Sequence, residues 1–301
     1  MSNPVTTSLP NYVDETRLPL IAQSALGSKS AKLFNLMTGV KHSAALNLLS
    51  TDVQFGNGAT CGWDPAGNQE LSQRVLVVGN IKVNMPYCER ELLDTYLSHE
   101  VKVRAKVETM PFEEKFAEEV VKNIQALVEK GIYQGDTASE VNNLKYFDGL
   151  IKILTAATET VDINVSSKTA AWDKVMGVYA AIPETAFERG DVAILVGMDI
   201  FRSFTTELVS KNLYHYNAGT PDGEVILPGT NVRVIGVNGL NGTKKAIGAS
   251  LKNLVFGTDM MGDDEVFDFW YSKDNQEFRL VVKFNAGVQV AFPDEVVLGA
   301  L

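Results

Sequence analysis

Pro111 to Gly131 reads PFEEKFAEEVVKNIQALVEKG, and the chain is organised around it. Phe112, Phe116, Val120, Val121, Ile124, Leu127 and Val128 recur at i, i+4, i+8, i+9, i+12, i+15 and i+16. That spacing puts one apolar stripe on an α-helix. Glu113, Glu114, Lys115, Glu118, Glu119, Lys122, Asn123, Gln125, Glu129 and Lys130 make the remaining surface polar. Pro111 suits the first turn, where its missing N–H costs nothing, and the glutamates crowd the end where the helix dipole favours anions. Gly131 predicts the stop. About 20 residues give a rod of roughly 30 Å. A surface helix packed on a sheet accounts for the stripe taken alone. The flanking sequence favours a backbone from which other elements hang.

At 301 residues the chain allows one elaborate domain or two ordinary ones, and its 45% hydrophobic content can fill a sizeable core. A formal net charge of −10 makes the surface as a whole a poor nucleic-acid binder unless basic residues segregate. They segregate weakly in residues 1–50, where Arg17, Lys29, Lys32 and Lys41 outnumber Asp14 and Glu15, a net of +2. Cys61 and Cys88 have neither metal-ligand spacing nor the density of a disulfide framework, which fits free thiols in a reducing compartment. No apolar run reaches the roughly 18 residues of a membrane span, and the first residues lack a signal-peptide pattern. The expectation is a soluble protein made in the cytoplasm.

Residues 1–28, with Pro4, Pro10 and Pro19, read as an extended arm, either disordered or ordered only against another chain. Residues 29–49 suggest short helices broken near Gly39. Around the glycine-rich Gly56–Asn68, the runs at Val53–Phe55 and Arg74–Asn84 predict a long hairpin-like loop. A lone hairpin is marginal in water, so this one packs either on the chain's own sheet or on a neighbouring subunit. Glu89–His99 predicts a short helix with Leu92, Leu93, Tyr96 and Leu97 on one side. Turns follow at Gly135-Asp136 and Asp148-Gly149. The texture then becomes α/β. Strands are expected at Val161–Val165 and Val192–Gly197, and helices capped by Thr169 and across Asp199–Lys211. Further strands are expected at Val225–Leu227, Val232–Val237 and Leu254–Phe256. The C-terminal third predicts strands at Glu265–Tyr271, Phe278–Phe284 and Val288–Phe292, with a turn at Asn285-Ala286-Gly287.

The search for chemistry returns little. There is no dinucleotide fingerprint, Walker A loop, H-E-x-x-H, G-x-S-x-G or C-x-x-C. Gly236, Gly239 and Gly242 are spaced for a tight turn between strands. His42, His99 and His215 lie far apart, with no nucleophile paired to any of them. Asp259, Asp263, Asp264 and Glu265 could hold a hard cation but lack the order of an EF-hand loop, so a solvated acidic turn is preferred. Cys61 has no basic neighbour to activate it. No catalytic, cofactor-binding or metal-ligating residue is assigned, and no cofactor is expected.

The order of parts resembles the tailed-phage major capsid proteins with the HK97-like fold, an α+β architecture. PFEEKFAEEVVKNIQ followed by YQGDT and FDGL is similar to the family's spine helix and the turn after it. VAILVGMDIFRSFTTEL is similar to a strand and helix of the axial domain. LPGTNVRVIGVNGLNG, LVFGTD and DFWYSKDNQEFRLVVKFNAGVQVAFPDEVV are similar to the C-terminal half.

The resemblance implies an N-terminal arm at 1–50, an extended loop hairpin at 51–88, and a peripheral domain at 89–149 with its spine helix at 111–131. It implies an axial domain at 150–255 and a β-rich, mostly peripheral segment at 256–301. It also implies a subunit of an icosahedral head, assembling as pentamers and hexamers in the host cytoplasm and located in the virion. The partners implied are the chain itself, a separate scaffolding protein, a portal and packaged double-stranded DNA held without sequence specificity, with no membrane. No lysine–asparagine cross-link is expected at the loop tip, since residues 51–81 contain no lysine and Lys82 lies at the base. Lys29, Lys32 and Lys41 are candidates for weak phosphate contacts or for pairing with acidic neighbours. An encapsulin-type compartment shell and an α/β enzyme of unrecognised type are the alternatives. A cargo-peptide groove would mark the first, and a ligand-binding monomer the second.

Overall fold

The helix at the centre of the chain runs through its expected stop. In the computed structural model, which describes residues 4–52, 54–55, 68–104, 112–213, 223–259 and 266–301, it spans Phe112–Gln134. The elements in chain order are α1 (Pro4–Leu26), α2 (Lys29–Leu33), β1 (Asn35–Met37), β2 (Ser43–Asp52), β3 (Asn68–Val77), β4 (Gly79–Cys88), α3 (Glu89–Arg104) and this α4. Then come α5 (Leu150–Ala156), β5 (Val161–Asn164), α6 (Ala171–Ala181), α7 (Glu184–Arg189), β6 (Val192–Gly197), α8 (Met198–Ser210) and β7 (Glu224–Ile226). The chain closes with β8 (Arg233–Val237), β9 (Lys245–Ser250), β10 (Leu254–Gly257), β11 (Val266–Ser272), β12 (Glu277–Val290) and β13 (Val297–Ala300).

Helix α4 buries Phe112, Val120, Val121, Ile124 and Val128 and half-buries Phe116, whereas Leu127 of the expected stripe is exposed; the buried face continues through Ile132 and Tyr133. Gly131 lies inside it because the Phe147 ring packs there: a Cβ would sit 2.9 Å from Phe147 Cζ. The last turn closes with Gly135 N–H donating to the Gly131 carbonyl at 2.9 Å. Pro111 lies outside the described residues.

A five-stranded sheet packs on one side of α4. Its order is β1-β10-β12-β11, with β4 also paired to β12. The 14-residue β12 organises it, running antiparallel to β11, β4 and β10. The turn expected at Asn285-Ala286-Gly287 is instead strand interior: Ala286 is fully buried and Gly287 pairs with Gly257. Turn residues lost here to tertiary pairing, because the small side chains fit a crowded crossing. Rings knit the layers together, Phe116 to Phe269 at 5.6 Å, Phe269 to Phe278 at 5.3 Å and Tyr87 to Phe116 at 5.1 Å.

The second sheet has six strands in the order β5-β13-β9-β6-β8-β7. It is buried on both faces. Ala193, Leu195, Ile235, Val237, Ile247 and Ala249 belong to the core shared with α4. Ile194, Val196 and Val234 face the second core with Val175 and Val178 of α6 and Phe204 of α8. This explains why β6 is apolar throughout. Strands β9 and β13 escaped the sequence reading. Because β13 pairs with β5 and β9, the last strand of the chain lies in this six-stranded sheet, called the axial sheet below, while β10, β11 and β12 lie in the five-stranded one.

Residues 4–26 are helical rather than extended. Val13, Leu20, Ile21, Ser24 and Ala25 are buried, a helical stripe packing on α4 and β11, while Pro19 stays exposed off that stripe. Residues 43–49 form strand β2 rather than helix, paired with β3. The hairpin therefore spans 43–77, and β4 belongs to the five-stranded sheet. In α3, which runs five residues further than expected, Tyr96 and His99 turn inward while Leu97 is 53% exposed. Thr169 does not cap α6. The Glu207 carboxylate on α8 accepts from Ala171 N–H and Trp172 N–H, both at 2.8 Å.

The turn after α4 carries an ion cluster. Asp148 Oδ1 accepts from Thr137 N–H at 2.8 Å, Thr137 Oγ1 at 2.8 Å and Lys152 Nζ at 2.7 Å, and Lys152 also pairs with Asp136 at 2.7 Å. Partial burial opposes ionisation of Asp148, yet the Lys152 and Thr137 bonds hold its carboxyl below the usual range. A lowered carboxyl stabilises the fold above the unfolded-state value, about pH 4, and that contribution is lost as pH falls through the native value. Asp148→Asn is expected to lower the urea midpoint at pH 7 and to converge on the parent chain below about pH 4. Urea titrations across pH check this.

Candidate assembly interface

The hairpin β2–β3 is a two-stranded ribbon with two unequal faces. Its register alternates, so Ala44–Leu76 and Leu46–Arg74 point one way while Ser43–Val77, Ala45–Val75, Asn47–Gln73 and Leu49–Leu71 point the other. The first face is held by the body. Leu76 is fully buried with Val40, Val78 and Val255, and Arg74 Nη1 donates to the Val290 carbonyl at 3.3 Å. The second face is open along its length. Leu49 is 54% exposed, Leu71 76% and Val77 61%, and further out Phe55 is 98% exposed. The loop tip, residues 56–67, and with it Cys61, lies outside the described residues.

A pair of glycines seats the root of this ribbon. Gly257 and Gly287 face each other across β10 and β12. A Cβ at Gly287 would fall 2.3 Å from the Val77 carbonyl, and one at Gly257 2.5 Å from Leu76 Cδ2. Gln289 Nε2 donates to the Val75 carbonyl at 2.8 Å, and Val78 N–H to the His42 carbonyl at 3.0 Å. Root contacts of this kind fix where the ribbon leaves the body.

The residues singled out as candidates for chemistry do not converge. His42 is exposed, His99 is buried edge-on to Phe112, and His215 lies outside the described residues. Cys88 is an exposed free thiol. Asp259 is 1% exposed with Oδ2 unpartnered, so it is not part of a solvated turn, and Asp263, Asp264 and Glu265 lie outside the described residues. Gly239 sits in a 3-10 turn and Gly242 at φ +73° in the turn to β9, in keeping with a connection between strands. Among the described residues no group of three or more His, Cys, Asp or Glu side chains could hold a metal ion. Lys29 is removed from the phosphate candidates, since its Nζ donates to the Gly223 and Gly236 carbonyls, both at 3.2 Å. Lys32 and Lys41 remain exposed.

The sequence reading placed the ribbon too late and so missed Leu49, Leu71 and Val75 as one surface. The period-two pairing of 43–49 with 71–77 was the available signal. Gly287→Val is expected to lower stability by about 1–3 kcal/mol, since the Val77 main chain must shift. Gly257→Ala is expected to cost less, because the end of the Leu76 side chain can turn aside. Chemical denaturation of the two variants measures the difference.

No protein-family model matches the chain, and no curated protein matches its sequence. Among solved structures it is similar to a chain of the satellite phage P4 procapsid that includes the size determination (Sid) protein. That match has a TM-score of 0.62 at 11% identity and covers 100% of this chain and 98% of that one. It is also similar to Mycobacterium phage Bobi, at TM-score 0.57 and 16% identity over 91% and 90%. A virus-like particle from Pyrococcus furiosus matches at TM-score 0.53 and 13% identity over 95% and 98%. The match to the procapsid chain spans the whole of this chain, and the chain has the HK97-like capsid fold.

Proposed function

We propose that the chain is the major shell subunit of an icosahedral particle, built by association with copies of itself. The observation that carries this reading is the open face of the β2–β3 ribbon. A two-stranded ribbon is marginal without a partner, and this one holds Leu49, Leu71, Val75 and Val77 in water on a firmly seated root. A neighbouring copy supplies the missing cover. The axial sheet would meet its copies around five-fold and six-fold axes, and many modest contacts would add to a stable closed shell.

The finer reading is the head of a tailed phage enclosing double-stranded DNA, assembled in the host cytoplasm with a separate scaffolding protein and a portal. A net charge of −10 suits a wall that contains DNA without gripping it. Lys32 and Lys41 would give at most weak phosphate contacts, so neutralising both should leave assembly intact and alter DNA retention or its salt sensitivity. A shell with a different content is the second reading, kept because the similarity extends to a virus-like particle. The subunit's role is structural in both.

Electron microscopy with light scattering tests the proposal. Uniform shells, or regular pentamers and hexamers, support it, and nucleic-acid content separates the two readings. The double variant Leu49→Asp, Leu71→Asp is expected to keep the melting temperature of the isolated subunit within a few degrees and to abolish shells. A parent chain that stays monomeric even with a co-expressed scaffolding partner overturns the shell reading.

A further inference from the structure

Three parts of the chain meet at one turn of α4. From the arm, Ser30 N–H donates to Glu129 Oε2 at 3.0 Å and Ser30 Oγ to Glu129 Oε1 at 2.6 Å. Ser30 has one hydroxyl proton, so Tyr133 OH, 2.6 Å from Oγ, is the donor in that contact. Ser30 and Tyr133 are fully buried, and Glu129 is 5% exposed. On the axial side, Gly239 lies so close to α4 that a Cβ would stand 2.3 Å from both the Glu129 carbonyl and the Tyr133 ring. Gln134 Nε2 donates to the Gly239 carbonyl at 2.6 Å. The residue before Ser30 closes the circuit, for Lys29 Nζ reaches across to the Gly223 and Gly236 carbonyls beside β7 and in β8.

A buried carboxylate is a costly way to seat a short helix, since an apolar contact would avoid its desolvation. Its use here makes the seat conditional. We propose that residues 28–30 are a latch: Ser30 binds the arm to α4, Lys29 clamps the edge of the axial sheet in the same step, and release of the arm loosens the axial sheet against α4.

Among the described residues, these groups face Glu129. Ser28, Lys29 and Ser30 come from the arm side, Tyr133 from its own helix, and main chain at Gly239 from the axial side. Burial pushes the Glu129 carboxyl up, while the Ser30 and Ser28 bonds and the Lys29 charge pull it partly back. Burial and the Glu129 charge push Tyr133 well up, so it stays neutral.

Hydrogen exchange of the purified full chain, corrected for intrinsic rates, tests this. Lys29→Met is expected to speed exchange in residues 224–237 by about tenfold and leave α1 unchanged. Ser30→Ala is expected to speed both α2 and residues 224–237. Glu129→Gln keeps one acceptor oxygen for Ser30 but puts an amide donor where the other oxygen was, and is expected to speed exchange in α2 and in residues 224–237 together. The proposal is overturned if Ser30→Ala or Glu129→Gln loosens α2 alone and leaves residues 224–237 as in the parent. If Ser30→Ala does not fold, Lys29→Met and Glu129→Gln decide the matter between them. The readout lies within one chain, so it stands apart from whether shells form.

Discussion

Helix α4 has to satisfy two sheets at once, and the architecture follows from that demand. Its apolar face meets α1 and β12 on one side and the 238–240 turn after β8 on another, and it shares one buried core with strands of the axial sheet. The single core through Val120, Ile124, Phe278, Leu195 and Ile247 makes the two sheets one cooperative body despite their separate strand orders. Small residues make the fit possible: Gly131 admits Phe147, and Gly239 lets the axial turn approach the α4 main chain.

What α4 organises inside is matched by what the chain leaves uncovered outside. The ribbon β2–β3 buries one face at its root and offers the other to solvent. Such a surface is a liability for a solitary chain, because open apolar ribbons invite uncontrolled pairing. It becomes an asset where every copy meets a neighbour in a fixed orientation. The glycine pair beneath it and the hydrogen bonds of Gln289 to Val75 and of Val78 to His42 define that orientation.

The sequence made some of this legible and hid the rest for physical reasons. Strand β6 and helix α8 were readable because continuous apolar runs and 3.6-residue stripes survive any context. The arm was misread because Pro10 and Pro19 outweighed the spacing of Val13, Leu20, Ile21, Ser24 and Ala25, although a helix packed on one face tolerates proline on the other. The centre of β12 was misread because Asn285-Ala286-Gly287 carries turn chemistry, and only the crossing with β10 and β3 explains those small residues. Strand β9, KAIGAS, carries too little apolar bulk to register alone; its burial comes from the sheet around it. The Ser30–Glu129–Tyr133 cluster joins residues about a hundred positions apart, which no local pattern reports.

The rooted ribbon also behaves as a cantilever. Its paired strands extend about 33 Å, ten residues at the usual rise, from a clamped base. Small angular changes at the root become large displacements at the far end, and bending along an unsupported two-stranded ribbon is soft. Copies in a closed lattice sit in slightly different surroundings. A lever fixed at one end and compliant along its length absorbs those differences without disturbing the core, so one sequence can serve positions that geometry makes unequal.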